Sequence, residues 1–161
     1  MTAAPAPDDL LQLDRQLCFA LYSTSLAMTK LYQPLLAPLS LTYPQYLVLL
    51  ALWEQDGPSV SQLGARVQLD SGTLSPLLKR LEGAGLITRQ RAAPDERRVN
   101  VNLTHAGRAL KDRARHVPAC AFQASGCSLA QLDQLTAELR ALRARLPHFE
   151  PLSNPPKEKT T

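Results

Sequence analysis

Residues 59–103 carry the pattern that most narrows what this chain can become. Ser59 and Gln62 stand three positions apart, the spacing of a capping box, in which a hydroxyl and a glutamine side chain satisfy amides left over at a helix start. The helix they open is predicted to run to about Val67. After a brief break at 68–72, Leu74, Leu77, Leu78 and Leu81 recur at steps of three and four, which gathers them on one inward face of a second helix. Gly83 and Gly85 suit the end of that helix. Two short helices joined by a tight turn make a helix-turn-helix. Two strand-like runs follow at once, 86–90 and 99–103, split by a polar loop holding Pro94 and Asp95. Polar and apolar residues alternate over 98–102, as in a hairpin with one face on the core. A hairpin behind a helix-turn-helix is a wing. The expected fold is therefore mainly α with a small β-wing, and residues about 42–103 form a winged helix-turn-helix.

Such a unit is shaped for double-stranded DNA. The major groove admits one helix and shows each base pair as a distinct pattern of donors and acceptors. The second helix opens on small polar residues, Ser71, Gly72, Thr73 and Ser75, which let its backbone come close to base edges. Lys79 and Arg80 follow, and an arginine can hold a guanine through two hydrogen bonds. Arg89, Arg91, Arg97 and Arg98 crowd the hairpin together with Asp95 and Glu96. Arginine at a hairpin tip suits the negative potential of the minor groove, and neighbouring cations bind phosphates by releasing counterions. Asp95, two positions before Arg97, is placed to orient its guanidinium. A solvated loop has the same charge run, but the helix-turn-helix beside it decides for DNA.

The flanks read as helices. Leu10, Leu13, Leu17, Leu21, Thr24, Met28, Leu31 and Leu35 step by three and four, predicting one long amphipathic helix ended by Pro34 and Pro38. Thr42, with Pro44 in the first turn, opens a helix that DGP at 56–58 stops, and its near-continuous apolar character buries it on most sides. Thr104 caps another helix, interrupted near Pro118 and Gly126. Ser128, with Gln131 three on, caps the last, where Leu132, Leu135, Leu139, Leu142 and Leu146 form a coiled-coil-like seam. A leucine stripe is ordinarily a core-facing side, yet the first helix and the last two together carry more apolar surface than a compact winged domain can cover. A symmetric homodimer buries that excess. It also sets two reading helices about one DNA turn apart, so the expected operator is an inverted repeat with half-sites ~10 base pairs apart. The organisation expected across 1–161 is a single domain, with dimerisation helices at about 9–37 and 104–146 around the winged unit. The tail, 147–161, rich in Pro, Lys and Thr, is expected to be disordered.

Composition mainly excludes. A net charge of +4 and a pI near 9.2 permit an anionic partner without naming one. The opening MTAAPAPDDLL has no cationic stretch followed by an apolar run and a cleavage site, and no apolar segment reaches the ~18 residues of a bilayer span. A cytoplasmic protein with no membrane contact is expected. Three cysteines without close pairs argue against a disulfide framework and against structural zinc. His105, His116 and His148 are scattered, so neither metal nor cofactor is expected.

Long blocks of the sequence, in this order, resemble the MarR family of winged-helix regulators, and more closely its organic hydroperoxide-sensing branch, OhrR. They are LCFALYSTSLAMTKLYQPLL at 17–36, LTYPQYLVLLALWEQDG at 41–57, LDSGTLSPLLKRLEGAGLITRQR at 69–91 and DERRVNVNLTHAG at 95–107. The resemblance implies a repressor of a peroxide-detoxifying gene, released from DNA when an organic hydroperoxide oxidises Cys18. It implies that Tyr32 and Tyr43 present their hydroxyls to that sulfur from the other subunit, and Tyr22 and Asp70 match as well. Ser71, Gly72, Thr73 and Arg80 fall on base- or phosphate-contacting positions, and Asp95 and Arg97 on the wing pair. Members with two cysteines join the first to one in or just after the penultimate helix of the other subunit. Here the matching position holds Gln123, with Cys120 about one turn before and Cys127 about one turn after. Cys120, Cys127 and neither stay open as the resolving thiol.

Without the resemblance, Cys18 on an apolar stripe reads as a small core residue. Arg15, three back, favours its thiolate and Asp14, four back, opposes it. Tyrosine hydroxyls stabilise a thiolate by donating hydrogen bonds, and the thiolate is the form that attacks peroxide, giving first a sulfenic acid. Two other functions compete. A thiol peroxidase shares the first step, but the chain has no thioredoxin-like alternation of strands and helices, so no enzyme is expected. A MarR-type repressor released by a small phenolic ligand is the other.

Overall fold

The computed structural model describes residues 11–91 and 99–146, in two compact units, Met1–Ala124 and Ser125–Thr161. In the first unit α1 spans Leu17–Leu36. It starts later than the leucine periodicity suggests, because Gln16 is extended and 13–15 form a lone 3-10 turn. Pro34 lies inside the last turn of α1 instead of ending it. A proline ring fits helical φ and forfeits only the bond to the carbonyl four residues back. The chain then turns through Ala37–Leu39 and a left-handed Ser40.

Helix α2, Tyr43–Glu54, opens on a capping box between Thr42 and Gln45 that the sequence reading missed, with Pro44 in its first turn. Val48, Leu49 and Leu52 are at most 1% exposed, so the interior position expected of this helix holds. Helix α3, Val60–Val67, has the expected box of Ser59 and Gln62, and α4 spans Ser71–Gly83. The break between them is shorter than expected, 68–70, because Asp70 caps α4 and Gly72 lies within it. Leu74, Leu78 and Leu81 of α4 are each 1% exposed, which fixes that helix against the core by its inner face and leaves the opposite face to solvent.

Strand β1, Ile87–Arg91, pairs antiparallel with β2, Val99–Leu103, in the register Ile87 opposite Leu103 and Arg91 opposite Val99. The turn after α2 ties this hairpin to the core. Asp56 accepts the Leu103 amide at 2.8 Å and the Arg108 guanidinium at 2.6 Å, while Gly57 N–H donates to Val101 O and Val101 N–H to Pro58 O. The DGP segment therefore stops α2 and also lines the edge of the wing.

Thr104 caps α5, His105–Ala114, and α6 spans Val117–Ser125. The interruption falls before Pro118, which occupies the first turn of α6, where a missing N–H is tolerated. In the second unit Ser128 and Gln131 box the start of α7, Leu129–Arg145. The apolar stripes at the two ends of the chain are not core faces of one protomer. Leu36 is the one buried residue of α1, and α7 has none. Leu17 is 57% exposed and Leu135 50%. Among the described residues no single helix is long and apolar enough to cross a membrane.

Gly107, in the first turn of α5, packs so closely on the turn leaving α4 that an added Cβ would collide with the Leu86 carbonyl oxygen and press on Leu103. Gly83 has nothing near its missing Cβ. Urea denaturation should show Gly107→Ala losing about 1–3 kcal/mol or more, and Gly83→Ala unchanged or stabilised by about 0.5–1 kcal/mol. Equal stability of the two variants would contradict this packing.

Candidate functional site

Cys18 sits in the first turn of α1 as an exposed, unbridged thiol. Tyr22, one turn on, is 62% exposed. The sequence suggested a thiol buried among tyrosines, and one protomer does not supply that burial. Tyr32 and Tyr43 are together, but elsewhere. Tyr32, near the end of α1, stacks tilted on Tyr43 at the start of α2 with ring centroids 4.7 Å apart, and on Tyr46 at 6.0 Å. Cys18 and Tyr32 are fourteen residues apart on one helix, roughly 21 Å along its axis at about 1.5 Å per residue. Those phenols cannot serve the sulfur of their own chain.

Burial holds the Tyr32 phenol above its ordinary value, with Tyr43 adding to the effect, and burial likewise raises Tyr43. Tyr46, buried beside both, is pushed up to about 12. All three hydroxyls are therefore protonated hydrogen-bond donors at neutral pH, as needed to stabilise a thiolate. The other cysteines are half-buried. Cys120 lies on α6. Cys127 follows a left-handed Gly126 and donates its backbone N–H to Ser125 Oγ at 3.3 Å and its thiol to Ser125 O at 3.6 Å. Among the described residues no group of three or more His, Cys, Asp or Glu is placed to hold a metal.

The second candidate surface is the outer face of α4. Ser71, Gly72, Thr73, Ser75, Lys79 and Arg80 are all exposed on it, so the structure assembles every residue the sequence reading placed there. Asp70 orders the leading turn, its carboxylate accepting the Thr73 amide at 2.9 Å and the Thr73 hydroxyl at 2.8 Å. The Thr73 hydroxyl, then its amide, hold the Asp70 carboxyl below the usual carboxylate range. Ser75 donates its hydroxyl to Ser71 O at 2.7 Å. Both hydroxyl protons are thus engaged, which leaves the remaining lone pairs of these oxygens as acceptors.

In the hairpin, Arg91 is exposed and makes no ion pair with any described residue. Arg89 differs from it. Its guanidinium is 2.6 Å from Glu82 of α4, and that contact holds the Glu82 carboxyl low. The sequence reading grouped both as wing cations and did not separate them, because a Glu and an Arg seven apart share no local pattern. Asp56, Trp53 and Tyr46 were also missed as structural links; only the DGP turn signal pointed toward the first. Asp95 and Arg97, the expected wing pair, lie outside the described residues.

With this geometry in place, comparison with known proteins is specific. The family model described as transcriptional regulator SarA/Rot matches residues 30–114. The organic hydroperoxide resistance transcriptional regulator of Bacillus subtilis is 48% identical over 134 residues, 83% of this chain and 91% of that one. The HTH-type transcriptional regulator TtmR of Methylorubrum extorquens is 48% identical over 139 residues, 86% of this chain and 71% of that one. Among solved structures, reduced AbfR bound to DNA, a protein of Staphylococcus epidermidis, superposes with a TM-score of 0.73 at 30% identity, covering 88% of this chain and 99% of that one. Capped helix-turn-helix, wing, tyrosine pair and matching blocks agree: the chain belongs to the MarR family of winged helix-turn-helix transcriptional regulators, within its OhrR branch.

Proposed function

We propose that this protein is a cytoplasmic homodimeric repressor that reads organic hydroperoxides through Cys18 and leaves an inverted-repeat operator when that thiol is oxidised. The observation that carries the reading is the separation within one protomer. An exposed Cys18 lies about 21 Å along α1 from the half-buried Tyr32, which stacks on the half-buried Tyr43, and α1 buries only Leu36. A second copy running antiparallel along α1 brings the sulfur of one chain to Tyr32 and Tyr43 of the other. The dimerisation helices, at about 9–37 and 104–146, then cover the exposed leucines.

In the chemistry proposed, the Cys18 thiolate attacks the terminal peroxide oxygen and the O–O bond breaks. Sulfur keeps the OH as a sulfenic acid, and the alkoxide leaves as an alcohol after gaining a proton. A second thiol then condenses with the sulfenic acid, giving a disulfide and water. Either product takes away the acceptor that the tyrosine hydroxyls hold, and the two dimer arrangements change in relative stability. On DNA, α4 enters the major groove through Ser71, Gly72, Thr73 and Ser75, with Lys79 and Arg80 behind, while Arg91, Asp95 and Arg97 serve the wing. Supporting this, the Bacillus relative is named for organic hydroperoxide resistance, and AbfR has been solved on DNA in its reduced form.

A second reading keeps one specific observation in its favour. An apolar cleft of about 210 Å3 lies among Tyr46, Leu50, Trp53, Lys111, Arg115 and Pro118, which suits a small phenolic acid. Operator release by phenolic acids from a Cys18→Ser protein would favour it.

Cys18→Ser is expected to bind operator and stay bound after one equivalent of cumene hydroperoxide, measured by gel shift, while the unaltered protein is released. Release of the variant by hydroperoxide sinks the sensing reading. For the wing, Arg91→Ala should lower the slope of log affinity against log salt by about 1, whereas Arg89→Ala, already paired to Glu82, should leave it unchanged. Equal slopes for the two variants would remove Arg91 from the interface. Non-reducing electrophoresis of oxidised Cys120→Ser and Cys127→Ser should show the crosslinked dimer missing from one. If both variants still crosslink, neither thiol is the sole resolving partner.

A further inference from the structure

Two aromatic contacts and four hydrogen bonds connect the tyrosine cluster to the base of the winged unit. Tyr46 lies 6.0 Å from Tyr32 on one side and 6.3 Å from Trp53 on the other, the latter edge to face. Tyr46 and Trp53 are two turns apart on α2 and so share one side of a helix that is itself held rigidly in the core. Trp53 does not end in solvent. Its indole N–H donates to the Gly107 carbonyl at 2.9 Å across a sequence separation of 54 residues. Gly107 is the glycine that abuts Leu86, and its amide donates to Thr104 Oγ1 at 3.0 Å. Thr104 in turn donates its amide to Leu86 O at 3.0 Å and its hydroxyl to Gly85 O at 2.6 Å, at the exit of α4 and the start of β1.

The geometry points to Trp53 as a positioning residue that couples the state of the Tyr32, Tyr43 and Tyr46 cluster to the orientation of the reading helix and wing. This rests on the reading that those tyrosines attend the Cys18 thiol. A half-buried indole that needed no partner would be an ordinary core filler. One whose N–H is spent on the first turn of α5, at a glycine with no room for a methyl group, makes the registry of α2 against α5 discrete. A shift of the tyrosine rings on oxidation moves Tyr46 and then Trp53. The Gly107 bond converts that movement into a displacement of the Thr104 junction, from which both the exit of α4 and β2 are held. Lys111 reinforces the same registry by donating to the Trp53 carbonyl at 3.2 Å.

Trp53→Phe keeps a ring and drops the donor. The readout is the ratio of operator affinities, reduced over oxidised, from fluorescence anisotropy with labelled DNA, together with Tm as a control for folding. The ratio is expected to shrink about fivefold in Trp53→Phe, the worth of roughly one hydrogen bond. A second measurement needs no change at position 53. Trp53 is the sole tryptophan of the chain, so its emission spectrum in the otherwise unaltered protein should shift on treatment with one equivalent of cumene hydroperoxide and stay fixed in Cys18→Ser. A ratio within twofold of the original in Trp53→Phe, or an emission spectrum indifferent to oxidation while DNA is released, overturns the coupling and leaves sensing intact. Emission and operator affinity that respond to hydroperoxide equally in Cys18→Ser would instead defeat the sensing reading, and the coupling with it.

Discussion

Burial of α2 on nearly all sides is the constraint on which the other parts depend. Val48, Leu49 and Leu52 fill the centre of the core and Tyr46 joins them, 2% exposed. A helix enclosed in this way cannot tilt without opening cavities against several neighbours, because protein interiors are close-packed and deform in steps. Its two ends carry different jobs. Tyr43 at the start joins the tyrosine cluster, and the Asp56–Pro58 turn beyond the other end grips the wing through backbone hydrogen bonds. The segment that joins the tyrosine cluster and the segment that anchors the hairpin are thus the two ends of one buried helix and its turn.

Surface left uncovered is equally informative. Leu13, Leu17 and Leu26 of the first unit and Leu135, Leu139 and Leu146 of the second are each at least 46% exposed in the single chain. Scattered apolar residues on a surface are ordinary, but Leu135 and Leu139 are spaced at a helical interval, and α1 and α7 between them bury only Leu36. In the proposed dimer that surface becomes an interface. An isologous contact has a direct consequence for the chemistry, since whatever one chain lends to its partner it also receives. In the proposed dimer, a sulfur at one end of α1 and tyrosine hydroxyls near the other would give two complete sites, each made from halves of two chains.

Much of this was legible before any coordinates. Capping boxes at Ser59 and Ser128, the leucine face of α4, the paired strands and the apolar α2 follow from local rules that tertiary structure had no reason to override. Boundaries moved where a single residue decided them: Gln16 in an extended conformation delayed α1, and Asp70 as cap drew α4 two residues earlier. The exposed side of α4 was legible because helical spacing alone gathers Leu74, Leu77, Leu78 and Leu81 on one face and leaves Lys79 opposite them. Arg89 was not separable from Arg91, nor Trp53 recognisable as more than core, because Glu82 and Gly107 meet them only through the fold.

An exposed Cys18 in one protomer sharpens the case for sensing. A sulfur sealed inside a monomer core would be inert toward a bulky organic peroxide and silent toward the partner chain. A fully solvated one would react without discrimination and alter nothing when it did. The proposed dimer would escape both difficulties, closing over the exposed thiol with apolar surface that suits alkyl and lipid chains and with donors from the other subunit. In that proposal oxidation enlarges the group and changes its hydrogen bonding at the dimer seam, and the seam's geometry sets the spacing of the two α4 helices. On that proposal the thiol need not lie near DNA, since a rotation at the seam would be magnified by the length of the core between it and the groove.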